Sequence, residues 1–282
     1  MIGVTGANGY VGGRILSHLR ASGIEAVALV RRPARGDESA RTYALEEPLR
    51  AGVLDGIEVV VHAAYDLSQR GERVRAVNVA GSLPLLEGLA GSGGRVVLVS
   101  SLAAFDGARS LYGQAKRELE HAVLERGGVA VRPGLVFGAG AGGLFGTMAA
   151  AVGRYPVVPL VGGGWQRLFV THDQQLCELV ATLAAGPADG AGPLFAAHEV
   201  PTTLRAIVLA MAAAHGRRLK VLPVPSWGIR LALSAADAAG AALPHRGDSL
   251  RSLLNPVPLD QVSALARGSV EFPPLRPEIF AR

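Results

Sequence analysis

Short apolar runs alternate with helix-length segments of mixed polarity along the first 135 residues of the chain. Apolar runs bounded by turn residues predict strands, and apolar residues recurring every three to four positions predict helices. The predicted strands cover residues 2–5, 25–30, 41–45, 59–63, 95–100 and 129–132, and the predicted helices cover 11–22, 74–90 and 111–126. This alternation is typical of an α/β fold, with a doubly wound parallel sheet and helices on both faces.

The alternation stops after residue 135. Five glycines between residues 138 and 146 predict a loop, and residues 162–164 predict another. Helices are expected at 173–185 and 203–215, and the tail from residue 244 is rich in proline. We therefore predict an α/β domain over residues 1–160, to which residues 170–186 return, and a small C-terminal substrate-binding lobe over most of 161–282.

Composition restricts the choice of partners. The formal net charge is +5, but the basic residues are scattered along the chain, so nucleic acid is not expected as a partner. The best candidate for a membrane span, residues 229–243, is interrupted by Arg230 and Asp237, so no membrane partner is expected either. Cys177 is the single cysteine, its neighbours Leu176 and Leu179 predict that it is buried, and no signal peptide is seen. We expect a cytoplasmic protein that acts on a small molecule and binds no metal.

A glycine-rich turn follows the first predicted strand and opens the first predicted helix. Its candidate cofactor-binding residues are Gly6, Asn8, Gly9, Tyr10, Val11 and Gly12. Larger side chains at the glycines would keep a pyrophosphate away from the backbone N–H groups, and the helix N-terminus adds partial positive charge. The position of the turn on the first strand predicts a dinucleotide-binding site.

Two arginines at the end of the second strand indicate which dinucleotide is bound. In dinucleotide-binding folds an acidic residue at this place bonds the ribose 2′-hydroxyl, whereas an arginine accommodates a 2′-phosphate. Arg31 stands where the acidic residue would be, and Arg32 follows it. A guanidinium can hold the phosphate with paired hydrogen bonds, so we predict NADP as the cofactor, with NAD as the second choice.

Tyr112 and Lys116 lie four residues apart in a predicted helix, so both side chains project from one face. A free tyrosine has a pKa of about 10, and a nearby ammonium lowers that value by favouring the phenolate. The pair predicts a tyrosine acid/base tuned by a lysine that can also bond the nicotinamide ribose. Ser101 follows the buried fifth strand, at the edge where the cofactor is expected, and is predicted to donate to the substrate oxygen.

These features occur together in the order and spacing of a known family. The matching motifs are residues 5–12, His62-Ala63-Ala64, residues 77–81 around Asn78, Ser100-Ser101, Tyr112 with Lys116, and Arg132-Pro133-Gly134. In these motifs the chain resembles the extended short-chain dehydrogenase/reductase family, in particular its NAD-dependent epimerase/dehydratase branch, from residue 1 to about 180. The resemblance implies an enzyme with a Rossmann fold and a Ser–Tyr–Lys catalytic group.

The resemblance also implies which further residues line the cofactor. These are Leu45, His62, Ala63, Ala64, Asn78, Val99, Pro133 and Gly134, with Asn78 steadying its helix and a nearby loop. On sequence alone, His62 can equally be a strand-end histidine satisfied within the protein. Leu102 stands where many members have Ser or Thr, and Leu135 replaces a frequent Asn; both are expected to line the substrate. The aspartate that usually meets the adenine is replaced around Leu45.

The substrate is indicated by one arginine. Residues 162–170 resemble the segment of nucleotide-sugar epimerases whose arginine grips the substrate diphosphate, and Arg167 falls on that position. Thr171 and Gln174 depart from the usual His and Asp that follow. We favour a nucleotide-sugar 4-epimerase or 4-ketosugar reductase. The alternatives are an NADPH-dependent reductase of a non-nucleotide ketone or aldehyde and a non-catalytic cofactor-sensing regulator. Family members often dimerise through the Tyr–Lys helix, so a homodimer is implied.

Overall fold

The computed structural model describes residues 1–33, 36–187, 192–225, 227 and 255–276. It divides into two compact units. The first comprises Met1–Pro133, Asp173–Ala196 and Val257–Glu271, and the second comprises Gly134–His172, Ala197–Pro256 and Phe272–Arg282. Residues 134–160, which the sequence assigned to the α/β domain, group with the second unit. The segment 229–243, the start of the proline-rich tail and the last six residues lie outside the described residues.

The secondary structure of the described residues follows the predicted alternation in the first unit. The strands are β1 (Ile2–Thr5), β2 (Ala26–Val30), β3 (Arg41–Thr42), β4 (Val59–His62), β5 (Arg95–Val99), β6 (Val129–Pro133), β7 (Leu135–Phe137), β8 (Val157–Val161), β9 (Arg167–Leu168), β10 (Val170–His172), β11 (Pro193–Ala196), β12 (Thr202–Thr203), β13 (Lys220–Val224) and β14 (Ala266–Arg267). The helices are α1 (Tyr10–Ala21), α2 (Arg73–Asn78), α3 (Leu83–Gly91), α4 (Leu111–Leu124), α5 (Gly143–Arg154), α6 (Asp173–Ala185), α7 (Leu204–Ala214) and α8 (Leu259–Ser263). Within the described parts of the chain, no helix combines the length and apolarity that crossing a bilayer requires.

The first unit is built on one parallel sheet of eight strands in the order β14-β11-β6-β5-β4-β1-β2-β3. Every residue of β1 and β4 is buried, as expected for central strands covered on both faces. The chain leaves β1 toward β2 and β3 on one side and returns to β4 on the other, so the strand order reverses between β1 and β4. Ligands of such sheets bind beyond the carboxyl ends of the strands at this reversal.

Three features of the first unit differ from the sequence prediction. Strand β3 ends at Thr42, whereas the sequence predicted a strand to residue 45. The single helix predicted over 74–90 is divided into α2, a 3₁₀ turn at Ala80–Ser82, and α3. The 3₁₀ turn contains Gly81, where a Cβ would lie 2.0 Å from the carbonyl oxygen of Leu45, so only glycine fits this close approach. Strands β11 and β14 extend the sheet from the six predicted strands to eight. The sequence did not predict these two strands because they are short and contain proline or arginine, which give little strand signal.

The described part of the second unit contains three separate strand pairs and two long helices. Strands β7 and β10 are parallel, β9 and β12 antiparallel, and β8 and β13 parallel. The loop predicted over residues 138–146 is wrong in its second half, where α5 begins at Gly143. Phe145, Met148 and Val152 recur at helical spacing on α5 and are buried in the core of this unit, and that burial stabilises the helix in spite of its glycines.

Candidate active site

The glycine turn lies at the carboxyl end of β1 and is packed so closely that side chains are excluded. Gly6 has φ +68°, and a Cβ there would lie 2.8 Å from the amide nitrogen of Ala64. A Cβ on Gly12 would lie 2.4 Å from the carbonyl oxygen of Gly6, and the amide of Gly9 donates to that oxygen at 2.8 Å. Helix α1 therefore begins against the turn with bare backbone at its N-terminus, a cradle that fits a pyrophosphate.

Thr5 and His62 join β1 to β4 directly beneath this cradle. The Thr5 hydroxyl lies 2.9 Å from His62 Nδ1 and accepts hydrogen bonds from the amides of Ala63 and Ala64 at 3.1 Å. On the other side of the ring, His62 Nε2 lies 3.0 Å from the hydroxyl of Ser82. The backbone that follows β4 is thereby held against the glycine turn.

The hydrogen bonds that join Thr5, His62 and Ser82 allow one consistent arrangement of protons. The Ser82 hydroxyl donates to the carbonyl of Asn78 at 2.8 Å, so it accepts from His62 Nε2, and His62 Nδ1 accepts from Thr5. Burial, with a smaller contribution from the charge of Lys116, lowers the pKa of His62 to about 3, which keeps the ring neutral. Both ring nitrogens are occupied by protein groups, so a cofactor contact from His62 would come from its backbone.

Asn78 is buried and bridges α2 to the loop that follows β4. Its Oδ1 accepts from the amide of Asp66 at 2.6 Å, and its Nδ2 donates to the carbonyls of Asp66 and Val74 at 3.2 and 3.1 Å. This geometry is that of a residue steadying a helix and a loop, which the resemblance implied.

The side chain of Tyr10, the first residue of α1, is hydrogen-bonded to another residue of the first unit. Its hydroxyl donates to Asp173 Oδ2 at 2.6 Å, and Arg14 Nε donates to the same oxygen at 2.8 Å. Burial and the hydrogen bond to Asp173 raise the pKa of Tyr10 above its ordinary value. The contacts tie α1 to α6, which leaves the backbone of Tyr10 for any contact with a cofactor.

Arg31 and Arg32 are exposed immediately beyond β2. Asn8, in the glycine turn, donates from Nδ2 to the carbonyl of Arg32 at 3.1 Å, which links the turn to the arginine pair. Burial alone would raise the pKa of Asp66, but hydrogen bonds from its neighbours and, more weakly, the charge of Arg31 hold that pKa below its usual value. Leu45 is half-buried and packs against the main core of the unit.

Lys116 is buried one helical turn after Tyr112 on α4. Its Nζ donates to the carbonyl of Val99, the last residue of β5, at 2.7 Å. Burial lowers the pKa of Lys116 to about 8, and the charge of Glu120 partly opposes that effect. The ammonium therefore still predominates at neutral pH, and β5 fixes its position.

Tyr112 lies in the first turn of α4, and the start of that helix is tightly located. The hydroxyl of Ser110 accepts from the amide of Gly113 at 3.1 Å as the N-cap. A Cβ on Gly113 would lie 2.2 Å from the carbonyl oxygen of Ala103, so α4 begins in close contact with the loop that follows β5. This contact holds the first turn of α4, which contains half-buried Tyr112, against the loop that follows β5.

Tyr65 is a neighbour of the catalytic pair that the sequence reasoning missed. Its ring packs edge to face against the ring of Tyr112, with centroids 5.0 Å apart, and Lys116 Nζ lies 5.0 Å from its centroid. The signal available in the sequence was its place directly after the His62-Ala63-Ala64 motif.

The side chains of the three residues after β5 point alternately to the two faces of the sheet. The amides of Ser100 and Leu102 donate to β6 carbonyls at 2.8 and 2.9 Å, so the extended pairing continues past the end of β5. Ser100 and Leu102 are buried, whereas half-buried Ser101 points to the opposite face. The Ser101 hydroxyl accepts from the amide of Ala103 at 3.1 Å and can still donate its own proton.

The Arg132-Pro133-Gly134 motif is held by two separate contacts. Arg132 forms a bidentate ion pair with buried Glu120 on α4, with N–O distances of 2.6 to 3.2 Å. In the second unit, the amide of Gly134 donates to the buried hydroxyl of Thr171 at 2.8 Å. Thr171, which departs from the usual histidine, thus anchors the backbone of the motif.

Leu135 and Arg167, the remaining predicted substrate residues, belong to the second unit. Leu135 lies in β7 and packs against the core of that unit. Arg167 lies in β9, pairs with Thr203 of β12, and is exposed. Gln174 donates to Glu178 on the surface of α6. Among the described residues, no cluster of three His, Cys, Asp or Glu side chains could hold a metal ion.

A glycine cradle at the strand reversal, with a buried lysine one turn from a tyrosine, defines the class of protein as a nicotinamide-dependent enzyme of the short-chain dehydrogenase/reductase type. The chain belongs to the NAD dependent epimerase/dehydratase family, whose sequence model matches residues 2–193. The predicted fold, family and enzyme class are confirmed, and the family match supports a nicotinamide cofactor.

Individual relatives cover most of the chain. A ceramide reductase of Caulobacter vibrioides is 28% identical over 248 residues, which span 84% of this chain and 78% of that protein. MoeE5, solved with UDP-glucose and NAD, superposes with a TM-score of 0.69 at 23% identity, covering 79% of this chain and 85% of its own. The UDP-glucose 4-epimerase of Thermus thermophilus, solved with NAD, gives 0.65 at 20% identity, covering 79% and 86%. At these identities the two structures establish the fold alone.

Proposed function

We propose that the protein catalyses hydride transfer at a carbinol or ketone carbon, with Tyr112 as the acid/base that exchanges the proton of the reacting oxygen. The observation that carries this proposal is the buried Lys116 ammonium, fixed by the Val99 carbonyl one helical turn from Tyr112. A positive charge held there favours the phenolate and so eases proton transfer. Ser101 orients the same oxygen through its hydroxyl proton.

The cradle of Gly6, Gly9 and Gly12 fits a dinucleotide pyrophosphate, since added Cβ atoms would fill it. A bound nicotinamide would supply or accept the hydride at the substrate carbon. Lys116 would bond the nicotinamide ribose, and the backbone of residues 62–64, with Leu45, Asn78, Val99, Pro133 and Gly134, would line the rest of the cofactor. The completeness of the Tyr112–Lys116 pair disfavours a non-catalytic sensor.

The decisive test of this chemistry is Tyr112→Phe. We expect turnover to fall about 10²- to 10⁴-fold, while the dissociation constant of the cofactor changes little, because the ring is retained and only the hydroxyl group that exchanges the proton is removed. Tyr43→Phe is a matched control, since Tyr43 is a buried core residue. Unchanged turnover in Tyr112→Phe would remove the mechanism.

We propose NADP as the preferred cofactor. Exposed Arg31 and Arg32 follow β2, and the link from Asn8 to the Arg32 carbonyl supports their position beside the glycine turn. Arg31→Asp should weaken NADPH binding at least about tenfold and improve NADH binding, because it exchanges a charge-assisted phosphate contact for repulsion. Arg50→Asp, a change of the same charge at an exposed position, should leave the preference unaltered. Tighter binding of NADH by the native protein would refute this choice.

For the substrate, we propose first a nucleotide-diphosphate sugar, processed by a 4-epimerase or a 4-ketosugar reductase. The support is Arg167, an exposed guanidinium suited to a diphosphate. Arg167→Ala should raise KM for such a substrate about 10- to 100-fold and leave the reduction of a simple ketone unchanged. An epimerase would retain its cofactor on purification, whereas a reductase would release it in each cycle.

The second candidate is an NADPH-dependent reductase of a non-nucleotide ketone or aldehyde. It is favoured by the 28% identical relative whose name is ceramide reductase, and Leu135 and Thr171 depart from the nucleotide-sugar pattern. Incubation with NADPH and, in parallel, nucleotide ketosugars, a long-chain keto lipid and small ketones separates the two candidates. Turnover of the keto lipid that is unaffected by Arg167→Ala would select the second.

We also propose a cytoplasmic homodimer that pairs through α4. The support is the location of the Tyr–Lys pair on that helix, through which family members often associate. Sedimentation equilibrium would test it, and a monomer at micromolar concentration would contradict it.

A further inference from the structure

The balance between basic and acidic residues differs between the two units. In the described part of the second unit, seven side chains are basic and Glu199 is the one acidic residue. The seven are Arg154, Arg167, Arg205, Arg217, Arg218, Lys220 and Arg276. Together with Glu199, these seven residues have a formal net charge of +6, compared with +5 for the whole chain.

The parallel pair of β8 and β13 forms a ribbon with two different faces. Val157 pairs with Lys220 and Pro159 with Leu222, so these four side chains share one face, and all four are exposed. The intervening Val158 points the other way and is buried in the core of the unit. The ribbon therefore presents aliphatic side chains outward, with Leu222 55% exposed.

The amino-terminal end of this face is aromatic and basic. Tyr155 has extended backbone two residues before Val157 and is 51% exposed. The guanidinium of Arg154 lies 5.6 Å from the centroid of the Tyr155 ring, and Arg217 donates to the carbonyl of Gly153 at 2.5 Å. We call Tyr155, Val157, Pro159, Lys220 and Leu222 the ribbon face; Arg154, Arg217 and Arg218 flank it.

The carboxyl-terminal end of the ribbon has both tryptophans of the chain. Trp165 follows β8 by four residues, and Trp227 follows β13 by three. Because the two strands are parallel, their carboxyl ends meet at the same edge. The two rings are 67% and 70% exposed, although tryptophan is usually well covered in folded proteins.

We propose that the ribbon face and the two tryptophans dock on the surface of a membrane that carries anionic lipid headgroups. Exposed aliphatic side chains can enter the boundary of the acyl chains, while Trp and Tyr rings are favoured at headgroup level. The flanking arginines and Lys220 attract an anionic surface, and in the described part of the unit only Glu199 opposes that attraction.

Charge and shape disfavour other occupants. A second copy docked through the same face would bring Lys220 and the flanking arginines of both copies together, with like charges opposed. A nucleic acid would gain little from Val157, Pro159 and Leu222 at the centre of the face, because its outer surface is phosphate. Docking on a membrane surface needs no spanning segment, so it is compatible with the interruption of residues 229–243 by Arg230 and Asp237.

The test uses the full-length protein with vesicles of phosphatidylcholine alone or with roughly one third phosphatidylglycerol, at low salt. We expect the protein to sediment with the anionic vesicles only. The emission of Trp165 and Trp227, the only tryptophans, should shift to shorter wavelength on binding because their surroundings become less polar. Raising the salt concentration should release the protein.

Two variants locate the contact. Arg218→Ser with Lys220→Ser should weaken binding to the anionic vesicles about 30-fold, from roughly fivefold per basic residue near the surface. Arg50→Ser with Arg73→Ser removes the same charge from the first unit, where both arginines form exposed ion pairs, and should bind like the native protein. Leu222→Asp should abolish the emission shift.

Three results would overturn the proposal. These are equal binding to neutral vesicles, equal loss in the two double variants, and a concentration-dependent dimer that Leu222→Asp dissociates, which would assign the face to a second copy. The measurements need no substrate, so they stand or fall independently of the proposed reaction.

Discussion

Lys116→Met should make the protein more stable while it abolishes turnover. The amine of Lys116 is buried with the Val99 carbonyl as its hydrogen-bond acceptor, and it is the group we propose to hold a positive charge beside Tyr112. Burying an ammonium costs free energy that a thioether of similar length does not require. A functional charge is thus kept at the expense of the fold.

The size of this destabilisation follows from the pKa of Lys116. Burial, partly opposed by the charge of Glu120, lowers the pKa from 10.5 to about 8. At about 1.4 kcal/mol for each pKa unit, the protonated amine destabilises the folded chain by about 3 kcal/mol at pH 7. Methionine removes this cost but leaves the Val99 carbonyl without its donor, which costs about 1 kcal/mol. The free energy of unfolding should therefore rise by about 2 kcal/mol.

Urea unfolding of the two proteins between pH 7 and 10 measures this difference. The folded chain releases the proton near pH 8 and the unfolded chain near 10.5, so between these values the unfolded chain binds more protons. Native stability should then rise with pH across that window relative to the variant, and the advantage of Lys116→Met should disappear by about pH 10. Lys220→Met, which changes the only other lysine at an exposed position, should alter stability by less than about 0.5 kcal/mol.

Two results would refute this reasoning. One is a Lys116→Met protein that is less stable than the native protein at pH 7, which would mean that the ammonium contributes more than its burial costs. The other is a stability difference that stays constant from pH 7 to 10, which would mean that the amine does not titrate in this range.

Two further substitutions test the parts that hold the site. Gly12→Ala should reduce dinucleotide binding at least about 100-fold, because the new Cβ would lie 2.4 Å from the Gly6 carbonyl oxygen; calorimetric titration checks this, with Gly91→Ala, where nothing lies within 4 Å, as the control. Glu120→Leu should destabilise the fold by about 3 kcal/mol by leaving Arg132, whose side chain is 12% exposed, without its partner, and adding Arg132→Met should restore most of the loss in urea unfolding.

The first unit could be predicted because its signals are local. Each central strand is a short apolar run, and the glycine turn and the Tyr112–Lys116 spacing are each contained within a few residues. The extent of α6, residues 173–185, was predicted to the residue because apolar side chains recur along it at helical spacing. The roles assigned to these residues remain predictions that the substitutions above test.

The rest depends on contacts between distant segments. Nothing in the sequence near Gly81 indicates its close approach to the Leu45 carbonyl, or the 3₁₀ turn that divides the predicted helix there. Tyr65 meets Tyr112 and Lys116 only after β4 and α4 are brought together. The scattered arginines of the second unit likewise form a flank only when β13 returns to β8.

The neutral ring of His62 sets an acid limit for the fold. An unfolded chain takes up a proton on this histidine near pH 6.5, whereas the folded chain does so only near pH 3. Each pH unit lost between these values therefore removes up to about 1.4 kcal/mol of stability. Protonation would set a second donor against Thr5, which already accepts from two amides, so acid should loosen the strand ends beneath the cradle.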